Sequence, residues 1–183
     1  MARRRGVRVT VLVEDQSLER FAREVLLLLK FQRREMRFKV HPAGRGSAKQ
    51  WVERQYPIEV RAYRGRANAQ QIALLVGTEA DEQTVAHRFS YLASKLRDAG
   101  LADRNDDERV VLWVPKWNVE TWILHLSGED VDEEANYRTR LRNPDYRAVA
   151  GAFVNRFHGS QSTPSAELPS LEVAFEETRR LVS

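Results

Sequence analysis

The chain has 183 residues, 42% hydrophobic and 31% charged, enough for one soluble α/β domain with a real core and too few for a second. It lacks cysteine, which excludes disulfides, thiolate metal sites and cysteine nucleophiles. No apolar run approaches the ~20 residues needed to span a bilayer. The net charge is only +4, but 25 of the 30 basic residues are arginine and 5 are lysine. Guanidinium forks suit phosphate, so nucleic acid is a candidate partner, although a GC-rich genome gives the same skew.

In chain order, "MARRRG" is basic, but the apolar segment after it is a short strand containing Glu14 rather than a signal-peptide core, so a cytoplasmic protein is expected. "VRVTVLVED" (7–15) fills with β-branched residues and reads as the first strand. Ser17 is the expected cap of the helix "LERFAREVLLLLKFQ", with Arg20 where a capping box needs Glu. "MRFKVHPAG" (36–44) is a second strand, followed by a glycine-containing loop and a helix predicted to break near Pro57. "QQIALLVG" is a third strand, and "DEQTVAHRFSYLASKLRDAG" an amphipathic helix ended by Gly100. "ERVVLWVP" (108–115) is a fourth strand, and "NVETWILHLSG" a short helix ended by Gly128.

Strands alternating with helices predict an α/β fold, with a mostly parallel four-stranded sheet covered on both faces. From Glu129 onward the chain is polar and expected to be helical, with a flexible loop at 160–170 and a last amphipathic helix, "LEVAFEETRRLV". The expected organisation is an α/β domain over 1–134 and a helical C-terminal extension over 135–183 packed on the same domain.

In an open parallel sheet, ligands collect outside the carboxyl ends of the strands. Strand one ends at Glu14 and Asp15; strand three runs into Glu79, Asp81 and Glu82; after strand four, Glu120 lies in the first turn of a helix. Glu79 and Asp81 are two apart, so an extended segment turns both to one side. Such acids repel one another unless a divalent metal, an arginine or water lies between them. Magnesium takes oxygen ligands and completes its shell with water and substrate phosphate, which suits phosphodiester chemistry. The plainer account is that each acid caps the next helix, where the dipole favours it.

"VTVLVEDQSLERFAREVL" resembles the first motif of Toprim domains, a strand ending in glutamate. "IALLVGTEADEQTVAHRF" is similar to the second motif of small stand-alone Toprim-like proteins, in which a strand ends Asp-x-Asp. "VVLWVPKWNVETWILHLSGEDVDE" looks like the Ile-Glu-Thr-Trp helix of the same small group. The resemblance covers residues 7–134. It implies a Rossmann-like three-layer fold and a nuclease or phosphotransfer protein that uses Mg²⁺ (or Mn²⁺) on DNA or RNA phosphodiesters, in phage defence or a mobile element. By carry-over, Glu14 is a catalytic and metal-binding residue, Glu79, Asp81 and Glu120 are metal ligands, and Lys116 steadies a phosphate. Glu79 departs from the usual aspartate, so the alternative is a non-catalytic module that binds nucleic acid or protein. A receiver-like phosphoacceptor fits less well, because the Glu-x-Asp pair then has no role.

Outside these motifs, Arg45 and Lys49 in "HPAGRGSAKQW" are candidates for a phosphate cradle or a solvated turn; there is no P-loop order. Trp117 is the expected exposed stacking residue, whereas Trp113 and Trp122 belong to the core. Arg138, Arg140 and Arg142 in "YRTRLRN" are candidates for backbone contact or for pairing with "EDVDEE" upstream. Arg88 and Arg97 are expected to be solvated. The four histidines have no zinc-site spacing. Partners expected are nucleic acid, a protein from the same locus and a second copy in a homo-oligomer, with no membrane.

Overall fold

The computed structural model describes residues 6–44, 46–159 and 167–182. The strands are β1 (Arg8–Val13), β2 (Met36–Val40), β3 (Ile72–Gly77) and β4 (Val110–Trp113). The helices are α1 (Gln16–Leu28), α2 (Ala48–Ala67), α3 (Val85–Asp98), α4 (Val119–Leu126), α5 (Tyr146–Gly159) and α6 (Pro169–Val182). The fold is α/β with an all-parallel sheet in the order β2-β1-β3-β4, a Rossmann-like three-layer arrangement. Among the described residues no helix is long and apolar enough to cross a membrane.

Alternation sorts the strands between two cores. Val9, Val11 and Val13 of β1 join α1, α4, α5 and α6 on one face, whereas Leu12 joins α2 and α3 on the other. All six residues of β3 are buried, as expected of a central parallel strand covered on both sides. Edge strand β2 alternates Phe38 with Arg37 and Lys39, and Lys39 pairs with Glu59 of α2. At the other edge, Glu177 of α6 accepts the Leu112 N–H of β4 at 2.8 Å and pairs with Arg104. Both edges are thereby charged or covered against further pairing.

The C-terminal helices complete the first core. Phe153 of α5 lies 5.4 Å from Trp113 and 4.9 Å from Phe175 of α6, measured between ring centroids. Trp113 donates to Thr178 at 3.0 Å and Trp122 to Ser170 at 2.7 Å, so both buried indoles are satisfied, as the core assignment requires.

Local expectations need four corrections. Asp15, not Ser17, caps α1, accepting the Leu18 N–H at 2.9 Å; the strand ends two residues earlier than predicted, so the first free acid takes the cap. Helix α2 runs unbroken through Pro57, because Val52, Tyr56 and Val60 pack it into the second core and offset the lost hydrogen bond. Residues 129–145 are irregular rather than helical, held by loop hydrogen bonds, and α5 begins only after Pro144. Of the predicted loop at 160–170, residues 160–166 lie outside the described residues, and Pro169 already opens α6.

The strand ends are level: Val13 pairs with both Val40 and Gly77, and Gly77 pairs with Trp113. Connections from β1 and β3 leave in opposite directions, so the crevice of this sheet lies between them. Helix α1 packs close over that point. A Cβ on Gly77 would meet Leu18 Cδ2 at 2.4 Å and Val13 Cγ1 at 3.0 Å. Gly77→Ala should therefore destabilise the fold by about 1–3 kcal/mol through overpacking, read as a lower midpoint in urea unfolding at unchanged slope.

Candidate functional site

Level strand ends bring Glu14, one residue past β1, against the residues that follow β3. Glu14 is 8% exposed, and its Oε1 accepts the Thr78 hydroxyl and the Glu79 backbone N–H, the latter at 3.0 Å. Beneath it lies Arg88 of α3, only 2% exposed. Its Nη2 donates to Thr78 Oγ1 at 2.5 Å and stands 4.0 Å from Glu14, and its Nη1 pairs with Glu53 of α2. Arg88 is thus a buried counter-charge, not the solvated residue expected, because its position places it on the inner stripe of α3 with Leu92 and Leu96. Burial raises the Glu14 carboxyl above the ordinary carboxylate range, opposed by Thr78, the Glu79 N–H and Arg88, and reinforced by Asp81.

Glu79 is 4% exposed, and its Oε2 receives Arg138 Nη2 at 2.7 Å. Burial pushes its carboxyl up to about 8; Arg138 opposes this, and Glu14 and Asp15 add to it. Glu120, in the first turn of α4, is 6% exposed, and its Oε2 is buried without a hydrogen-bond partner. Burial raises its carboxyl too, Ser17 and Arg138 opposing and Asp15 reinforcing. Three buried carboxyls therefore follow the strand ends: Glu14 accepts the Glu79 N–H, and Glu120 interacts with Asp15 and with Arg138, the cation that pairs with Glu79.

Asp81 does not share the side of Glu79. Its backbone is left-handed at φ 56, which ends the extended geometry assumed from the spacing. The side chain is 45% exposed at the rim and pairs with Lys49 Nζ at 2.8 Å. Lys116 donates to the Asp81 carbonyl oxygen, with its ammonium 4.2 Å above the Trp117 ring. Lys49 and Lys116 thus flank Asp81 beside the acids.

Trp117 is half-buried, not exposed, because its indole donates to the Glu133 carbonyl at 3.0 Å. The arginine cluster is divided. Arg138 turns to Glu79, Arg140 pairs with Glu129 at 2.8 Å, and Arg142 is exposed. Pairing with "EDVDEE" therefore describes Arg140. Arg97 is half-exposed and pairs with Asp103. Arg45 lies outside the described residues.

The donor set is hard oxygen, the chemistry magnesium takes, and the orphaned Glu120 oxygen is the kind of atom an ion would satisfy. The side chains nevertheless do not fit a metal as they stand. Glu79 Oε2 is taken by Arg138, Glu14 Oε1 by Thr78 and the Glu79 N–H, and Asp81 by Lys49. Among the described residues no three Asp, Glu or His side chains converge closely enough to hold an ion. No protein-family model matches the chain, and no curated protein matches it.

Two outcomes follow from the electrostatics. Arg88→Met leaves Glu14 and Glu53 without their shared partner, and should lower unfolding free energy at neutral pH by about 3 kcal/mol. The deficit should shrink in acid, where Glu14 takes up a proton; urea titrations across pH measure it. The folded Glu79 value, about 8, exceeds the ordinary 4.5, so the native state holds a proton that the unfolded chain has released. Stability therefore falls as pH rises through that window, by up to about 1.4 kcal/mol per unit. Glu79→Gln should flatten the slope.

Proposed function

We propose that the chain is a Toprim-like protein acting on nucleic-acid phosphodiesters, with Mg²⁺ or Mn²⁺ as its cofactor. The observation that carries this reading is the contact of Glu14 with Glu79 at the crevice of a parallel sheet, with the buried Glu120 tied to the same strand ends through Asp15 and Arg138. Structural acids would be expected singly, each at its own helix cap. Here Asp15 and Asn118 do the capping of α1 and α4, which leaves Glu14 and Glu120 free of that duty.

On this reading Lys49 and Lys116 seat a phosphate at the rim and neutralise part of its charge. Burial strengthens the hold of Glu14 on a proton, the direction a general acid needs, and Thr78 with the Glu79 N–H fixes its carboxyl. In hydrolysis the water oxygen bonds to phosphorus as the bridging P–O bond breaks. The departing oxygen takes the Glu14 proton, bulk water accepts the proton of the attacking water, and Glu14 is reprotonated from solvent.

The pairing of Glu79 with Arg138 and of Asp81 with Lys49 favours a second reading, a non-catalytic module that binds nucleic acid. Purified protein with Mn²⁺ and single- and double-stranded DNA and RNA separates the two. Cleavage that falls at least about 100-fold in Glu14→Gln supports the enzyme. Retention of a strand without cleavage, weakened by Lys49→Ala and Lys116→Ala, supports the module; neither cutting nor retention overturns both.

A further inference from the structure

The amino ends of β1, β2 and β3 lie at the edge of the sheet opposite Glu14, and a cavity of about 210 Å³ opens there. Strand alternation decides what faces it. Phe38 packs on the first core, so Arg37 turns toward α2 as Lys39 does, in register with Thr10. Arg8, four residues before Leu12 of the second core, faces the same way in register with Ile72. Helix α2 packs on β1 and β3, which leaves edge strand β2 half-buried and a hollow beside it.

Four guanidiniums surround this hollow: Arg8 from β1, Arg34 from the turn before β2, Arg37 from β2 and Arg66 from the last turn of α2. All four are exposed. Glu35 and Glu59 share the wall, yet neither takes an arginine. Glu59 pairs with Lys39, and Glu35 accepts the Gly6 N–H at 3.1 Å. Arg66 donates along its own helix, from Nε to the Ala62 carbonyl at 3.0 Å, and among the described residues none of the four meets a carboxylate. By contrast Arg64, two positions earlier, pairs with Glu108, and Arg104 pairs with Glu177. The negative end of α2 accounts for Arg66 but not for the other three. Like charges around one concavity raise its potential, and a multiply charged anion relieves it.

A guanidinium fork matches two phosphate oxygens at once. Four forks offer more donors than one phosphoryl group can engage, whereas a diphosphate spreads the same chemistry over two. The cavity is smaller than the ~300–1,000 Å³ of whole small-molecule sites, so it suits the diphosphate and not an entire ligand. A second hollow of about 440 Å³ adjoins it across Tyr63 and Ile72, and the amides of Asn68, Gln70 and Gln71 face it. That is room for the group to which the diphosphate is attached. We propose that the cavity at the amino edge of the sheet binds the diphosphate group of a small ligand, of the class of a nucleoside diphosphate, between Arg8, Arg34, Arg37 and Arg66. The assignment does not rest on the phosphodiester reading, whose acids lie at the other edge.

Calorimetric titration of the full chain with inorganic pyrophosphate and with ADP, in EDTA so that no metal takes part, tests it. Both should bind, and inorganic phosphate more weakly. Arg37→Ala and Arg66→Ala should each weaken pyrophosphate at least about tenfold. Both side chains are exposed, so the melting temperature should stay unchanged. Arg37→Lys, which keeps the charge without the fork, should fall between wild type and Arg37→Ala. Binding that survives the arginine substitutions overturns the site, because phosphate is then held elsewhere. Retention of a single-stranded oligonucleotide without binding of pyrophosphate or ADP also overturns it, and makes the arginines a backbone-contact surface. So does the absence of binding by either ligand at millimolar concentration. None of these outcomes bears on cleavage at the acid edge.

Discussion

A carboxylate can be kept out of water at the mouth of a sheet only if donors surround it, and Glu14 is the place where this protein meets that demand. Its oxygen receives the Thr78 hydroxyl and the Glu79 N–H, while Arg88 lies below it and is itself shared with Glu53. Thr78 and Glu79 directly follow β3 and Arg88 stands on α3, so the donors depend on the level pairing of Val13 with Gly77. A slip of one residue between β1 and β3 would turn Glu14 away from its donors and reverse the faces of both strands. Sheet register and site electrostatics are therefore one constraint.

The C-terminal helices belong to the same constraint. Helix α6 satisfies the Leu112 N–H of the edge strand through Glu177 and the indoles of Trp113 and Trp122 through Thr178 and Ser170. Ser170 in turn meets Glu133, which lies in the irregular segment that carries Arg138. A path of packed and hydrogen-bonded groups thus runs from the core under β4 to the cation over Glu79. Helix α6 thus does more than shield an apolar face; through Ser170 and Glu133 it helps position the segment that carries a charge to the strand ends.

The sequence made the strand order of chemistry legible, because apolar runs that end in acids are local signals and parallel pairing puts their ends on one edge. Glu14, Glu79 and Glu120 follow from that reasoning alone. Asp81 does not, since a left-handed residue breaks the period-two rule that was applied to it. Arg88 carried a signal that charge obscured: it stands on the helical stripe of Leu92 and Leu96, where an arginine must be paired and buried. Arg138 carried none, because only tertiary structure tells which acid a loop arginine meets across 59 residues. Glu133 was hidden for the same reason.

The glutamate at position 79, where the resembled motif has aspartate, now has a geometric account. Its backbone N–H is committed to Glu14, which fixes the main chain and the starting point of the side chain. From that anchor the carboxylate extends to Arg138, and the additional methylene adds one C–C bond of about 1.5 Å of reach. An aspartate on the same backbone would be shorter by that bond, which weakens its contact with the guanidinium. The longer side chain and Arg138 are thus complementary. The additional methylene at position 79 is what carries the carboxyl group to Arg138.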